Sequence, residues 1–470
     1  MFWERKRRGL EKAGAVFEYI DEPAGFVDFW EEGDYVKCKE FCIEKLKELA
    51  SKRKQEKMKM VYYVNLGMCY YELKEYKKAV EYCTQAFDVV KQIYGETHAL
   101  VAYLFSHLAE MYKDLCEYQK ALEYKVRAFD IRKALYREEH PEIAESYDGL
   151  ASVYECLGEF QKVLEYETKA LEIRKSRYGE MHFETANSYG NLALTYDEVG
   201  EYQKGLEYNL KALEIRKSLY GEIHPLVADS YVSLACSYNN LGERQQELEC
   251  CLKALEIRKA GYGETHSETA RSFFHLANVF RVRRQYEKAI EYYLKTIEIR
   301  KSIHGEMHNS VATTYENLAS MYEKSDQNEA AIECWEKVFE IKRSIYGEQH
   351  KGTADSLFNI GVLYRDLEDD HKALPYHLKA LSIYRPLLGE KHEETASSYH
   401  QVASVYRELE DNQKSIQFNL KARDIYLFLM RTNPEKAAVL QEELGEVNRD
   451  LKFCQQILVK FHLKKYDEYF

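Results

Sequence analysis

Apolar and polar positions recur along this chain with helical spacing. Ala144, Tyr147, Leu150, Ala151 and Tyr154 fall at i, i+3, i+6, i+7 and i+10, one stripe of an α-helix. Leu157-Gly158 interrupts that stripe, and a second one runs through Tyr166, Ala170 and Ile173. The two-stripe pattern returns every 42 residues. Gly67, Ala109, Ala151, Ala193, Ala235, Ala277, Ala319, Gly361, Ala403 and Gly445 mark one site in successive first stripes. Ala86, Ala128, Ala170, Ala212, Ala254, Ala380 and Ala422 mark one in the second. A fixed period with two helices per unit predicts a repeat array in which each unit buries its apolar face on its neighbours. The small residues let the helices of a pair approach closely. Tyr70, Tyr112, Tyr154, Tyr196, Tyr238, Tyr322, Tyr364 and Tyr406, with Phe280 in the same column, fill the flanks.

The element ends are equally regular. A histidine stands at His98, His140, His182, His224, His266, His308, His350 and His392, mostly preceded by Tyr-Gly-Glu-x. Gly179 is placed to end a second helix in the left-handed conformation. Pro141 and Pro225 suit the first turn of the next helix, which needs no amide proton there. Glu142, Glu184, Glu268 and Glu394 favour the positive end of its dipole. A metal would need three or four donors around one point, and these histidines lie one repeat apart. They are predicted to close the turn before each first helix, and no metal is expected.

The order of an aromatic, Leu-Gly/Ala, an aromatic, then Tyr-x-x-Ala and a late Ala resembles the tetratricopeptide repeat over residues 58–451. The 42-residue spacing and junctions such as LEIRKSLYGEIHP, ending at Pro225, are similar to the longer variant of kinesin light chain and nephrocystin-like proteins. No long heptad region precedes the repeats, so kinesin light chain itself is not expected. The resemblance implies an all-α, right-handed superhelical solenoid of helix-turn-helix repeats whose first helices line a concave groove. Residues 1–55 are expected to form an N-terminal cap with a degenerate half-repeat, because Asp34–Cys38 echoes Glu75–Ala79 while Pro23 spoils the matching first helix. Residues 56–433 hold nine repeats. Residues 434–470 are expected to form a degenerate tenth repeat, opening at Pro434, and an amphipathic capping helix through Phe453, Ile457, Leu458 and Phe461.

Charge and composition narrow the function. The net charge of -12 argues against a nucleic-acid partner. Eleven scattered cysteines without a C-x-x-C pair fit a reduced cytoplasm. No apolar run approaches the ~18–20 residues that would span a bilayer. Arg5, Lys6, Arg7 and Arg8 are followed by no apolar segment, so no signal peptide is expected. No phosphate-binding loop, nucleophile elbow or zinc-protease motif occurs, so neither an enzyme nor a cofactor is expected. Most of the 40 tyrosines, among them Tyr63, Tyr189 and Tyr315, belong to the repeat columns, which points to core packing.

Function is therefore sought on the first-helix face that the resemblance assigns to the groove. In repeats two to four that face is acidic, with Asp148, Glu155 and Asp197 prominent. In the sixth repeat it carries Arg271, Phe274, Asn278 and Arg281, and Asn239 and Asn317 lie in the flanking repeats. The basic partners of a chaperone-tail carboxylate clamp are missing beside Asn65, Asn191, Asn317 and Asn359, which argues against that use. The expected function is a scaffold or adaptor that holds a peptide segment of a protein partner. The alternative is a ligand-sensing arm of an assembly whose catalytic part is on another chain.

Overall fold

The computed structural model describes residues 29–30, 32–49 and 55–467. The basic start at Arg5–Arg8 and the interruption at Pro23 lie outside the described residues. Among the described residues there are 20 α-helices, a short 3-10 turn and no strand. Nine helix pairs follow one another, from Glu56–Glu72 with Tyr76–Tyr94 to Glu393–Glu408 with Asn412–Thr432. The chain forms two compact units, residues 1–246 and 247–470. Within each, a second helix packs on the first helix of its own repeat and on that of the next.

The junctions show why the 42-residue landmarks recur. His98, His140, His182, His224, His266, His308 and His350 each cap a first helix, with Nδ1 accepting the amide of the residue two places on at 3.1–3.2 Å. Such a cap satisfies one of the amides that a helix start leaves open. Each ring also stacks on the aromatic four residues earlier, as in Tyr94–His98 at 4.6 Å and Tyr346–His350 at 4.4 Å. His392 follows Leu388, has no ring to stack on and makes no such cap bond. The histidines thus do close the turns. The preceding second helices end on glycines such as Gly221, whose φ of +81° an L side chain rarely adopts.

Inside each pair the small-residue columns are buried; Ala193, Ala277, Ala319 and Ala403 have no exposed surface. At Gly67 a Cβ would meet Cys83 Sγ at 2.6 Å, and at Gly361 it would meet the His377 ring at 2.7–2.9 Å. The tyrosine column stacks on an aromatic of the second helix, as in Tyr112–Tyr124 at 5.4 Å and Phe280–Tyr292 at 5.5 Å. Packing accounts for these rings.

At the N-terminal side, the stretch that echoes a second helix forms Tyr35–Leu49 and packs on Glu56–Glu72. At the other end, Ala437–Asp467 is one helix of 31 residues. The tenth first helix and the capping helix expected there are continuous. No glycine turn of the kind at Leu157-Gly158 follows Asn448 to break them.

Candidate functional site

In this structure polar side chains from the second helices reach the first helices at buried hydroxyls. Arg132, Arg174, Arg216, Arg258 and Arg300 form a column spaced by 42 residues. Each guanidinium donates to a hydroxyl 14 residues on, at Ser146, Ser188, Ser230, Ser272 and Thr314, and those of Arg132, Arg174, Arg216 and Arg300 reach between two successive first helices. Their charge balance differs. Arg132 meets Glu142 at 3.1 Å, Arg174 meets Asp148, and Arg258 meets Glu268 at 3.3 Å. Burial works against the charge of Arg174, but Asp148 and Glu184 outweigh it and raise its pKa. Arg216 has Asn187 as its acceptor at 3.1 Å, and burial lowers its pKa. Arg300 donates to the Ser310 carbonyl at 2.9 Å and to Thr314 at 2.7 Å, and lies 4.8 Å from the centre of the Phe274 ring. No carboxylate among the described residues pairs with Arg300, and burial lowers its pKa too.

The sixth repeat collects these features. Arg271, exposed, pairs with Glu268, the carboxylate that Arg258 also uses. His275, one turn on, is held in its neutral form by burial and then by Arg258, Arg271 and Arg300, with Glu268 opposing. Phe274 packs edge-on against Tyr293 at 5.7 Å, and the Tyr293 hydroxyl donates to Asn278 Oδ1 at 2.8 Å beside Arg281. Phe274, Asn278 and Arg281 therefore meet around one tyrosine, while Arg271 belongs with His275 and Glu268.

The other sequence-predicted residues are spread out. Asn239 accepts from Arg244 at 2.6 Å, and Asn317 donates to the Thr313 carbonyl of its own helix at 2.8 Å. In the first unit Asp148 holds Arg174, while Glu155 is exposed. Asp197 folds against Gly205, where a Cβ would lie 2.2 Å from its Oδ1. Its Oδ2 accepts from Ser237 at 3.2 Å, and burial raises its pKa.

A second column, also unread from sequence, lies deeper: Lys125, Glu167, Asn209, Tyr293, Trp335 and His377. Most reach a first-helix polar group, as in Lys125 to Glu110 at 2.6 Å, Asn209 to Ser237 at 3.0 Å and Trp335 to Glu323 at 2.8 Å. Burial pushes the Glu167 carboxyl up to about 7, with Asp148 and Glu155 adding to it and the Thr195 hydroxyl opposing. The signal was present in the sequence as a column of the period that changes its chemistry at nearly every repeat.

Within each unit these pairs, stacked through their second helices, form a helical-repeat solenoid. The Tetratricopeptide repeat family model matches residues 60–134, 100–176, 184–249, 238–302, 310–385 and 363–427, and the chain belongs to that family. Tetratricopeptide repeats are a family generally without catalytic activity. No curated protein matches the chain. Among solved structures it is similar to BtubC (BKLC) from P. vanneervenii, at 22% identity and TM-score 0.42, covering 49% of this chain and 92% of that one. It is also similar to nearly identical TPR-like repeats described as a kinesin light chain from Podosopora anserina, at 21% identity and TM-score 0.39, covering 45% and 98%. A third likeness is to a signal transduction ATPase with a tetratricopeptide repeat sensor from Pyrococcus horikoshii, at 19% identity and TM-score 0.49, covering 84% and 55%. Among the described residues no helix is long and apolar enough to cross a membrane.

Proposed function

We propose that this chain is a cytoplasmic scaffold or adaptor that holds a peptide segment of a protein partner on its first-helix face. In this reading the sixth repeat receives an acidic part of that segment. One observation carries it: Arg300, which pairs with no carboxylate among the described residues, packs on the Phe274 ring of the same helix that carries the exposed Arg271. Arg300 keeps guanidinium donors beyond those given to Ser310 and Thr314. A guanidinium fork suits a carboxylate, and a half-buried one holds it more strongly than an exposed one. In the first unit Glu145, Glu155 and Glu198 are exposed on the corresponding face, which favours a basic segment there. Eleven cysteines, all free thiols, agree with a reducing compartment.

The test is binding of a short glutamate-rich peptide to the full chain, with a lysine-rich peptide as the opposite arm. Arg271→Glu should weaken the glutamate-rich peptide about tenfold, equivalent to ~1.4 kcal/mol. Its melting temperature should hardly move, because an exposed pair such as Arg271–Glu268 contributes little to stability. Added salt should weaken the wild-type complex. Equal affinity of wild type and variant for the acidic peptide would overturn the reading.

A further inference from the structure

We propose a second site, independent of the peptide-binding face of the sixth repeat: a binding site for a divalent transition-metal ion formed by His400, Glu443 and Glu446. His400 lies on the first helix of the ninth repeat, Glu393–Glu408, and the two glutamates lie on the terminal helix Ala437–Asp467. A ring nitrogen of His400 and one carboxylate oxygen from each glutamate lie within 4.8 Å of one another. The glutamates are three residues apart, which places both on one helix face toward the histidine.

The surroundings are those of a built site. His400 is only 6% exposed, although its column holds Phe274 and Phe358 in earlier repeats. Its Nε2 lies 3.4 Å from Asp450 Oδ2, and Asp450 is itself held by Ser404 at 3.2 Å and by Arg407. A carboxylate fixed behind an imidazole is the usual way a metal-binding histidine is oriented. The Tyr426 hydroxyl points at Glu443 from 3.4 Å. Charge favours a cation. Glu443, Glu446 and Asp450 converge on one imidazole, against Arg407 on Asp450 and an exposed Arg449 that lies 3.4 Å from Glu446. One nitrogen and two carboxylate oxygens suit zinc or manganese better than magnesium, which prefers an all-oxygen octahedral shell. Tetrahedral zinc would set its donors roughly 3.3 Å apart, so the glutamate side chains must draw in by rotation. Glu446 is exposed and free to do so. A bound ion would pin the terminal helix to the ninth repeat.

The experiment is zinc titration of the full chain by calorimetry and by thermal melting, with magnesium as competitor. One equivalent of zinc should bind and raise the melting temperature. Glu446→Gln, at an exposed position, should leave the metal-free fold intact and weaken zinc by at least about tenfold, and Glu443→Gln with Glu446→Gln should abolish the zinc-dependent rise in melting temperature. Absence of stoichiometric binding, or equal binding by wild type and Glu446→Gln, would overturn the site. Equal competition by magnesium would overturn its assignment to transition metals. Because Arg271 is not part of it, loss of acidic-peptide binding and loss of zinc binding fail separately.

Discussion

At the scale of single residues, the turn between the two helices of a repeat shows where the array stores strain. Gly158, Gly200 and Gly242 occupy this turn with φ between +72° and +80°. In the same column stand Lys74, Cys116, Arg284, Asp326, Glu368 and Glu410, with φ between +57° and +61°. An L residue in this region carries a steric cost of roughly 1–2 kcal/mol, partly offset by its smaller loss of chain entropy relative to glycine. Glu368→Gly should therefore stabilise the protein by about 0.5–1 kcal/mol, read as a rise in the midpoint of urea unfolding. A lower midpoint would mean that Glu368 contributes a contact larger than the strain it carries. The repeat histidines make the complementary case. Their role could be read from the 42-residue recurrence because capping depends only on neighbours two to four residues away. The partners of Asn278 and Arg281 could not, because Tyr293, which occupies both, arrives from the second helix.

At the scale of elements, the helix pair is the unit that the sequence makes legible. The apolar stripes, the small columns and the stacked tyrosines all follow from contacts inside one period. Ala193 has no exposed surface, and its carbonyl lies 3.0 Å from where a Cβ on Gly205 would stand. The two helices of the fourth repeat thus touch almost backbone to backbone. Ala193→Leu should overpack this crossing and cost about 1–3 kcal/mol, measured by chemical unfolding followed by circular dichroism. A neutral result would place the close approach elsewhere in the repeat. What the period hides is the traffic between neighbouring helices. The arginine column recurs in plain view in the Ile-Arg-Lys of five successive second helices, but its function depends on hydroxyls 14 residues on, in the next repeat. Periodicity tells which positions share a face, and not which long side chain of a neighbour fills it. For that reason the candidate site was legible as a face, while its charge balance at Arg300 and the pairing of its polar groups were not.

At the scale of the whole molecule, stability in a repeat array is roughly a sum of local terms, so local titrations should be readable in the melting of the full chain. The two units carry buried groups shifted in opposite senses. In the first unit, Glu167 is pushed up to about 7 from 4.5, chiefly by burial. Its native state therefore holds a proton that the unfolded chain releases, and the stability this contributes is present below pH 4.5 and lost as pH rises through 7. In the second unit, burial and then Arg365 push His377 from 6.5 down to about 3. There the unfolded chain takes up the proton first, so the contribution is present above pH 6.5 and lost as pH falls toward 3. Each slope is at most about 1.4 kcal/mol per pH unit. Glu110 at about 2 matters only at lower pH. His98 and His275, which burial also lowers, add to the loss of stability below pH 6.5, so each group is read from the difference between wild type and variant. Relative to wild type, Glu167→Gln should gain stability as pH rises from 5 to 8. His377→Leu should gain relative stability as pH falls from 6.5 to 5. Thermal melts of the three proteins across that range provide the check. Parallel pH profiles for wild type and both variants would show that neither group is held in its neutral form by the fold.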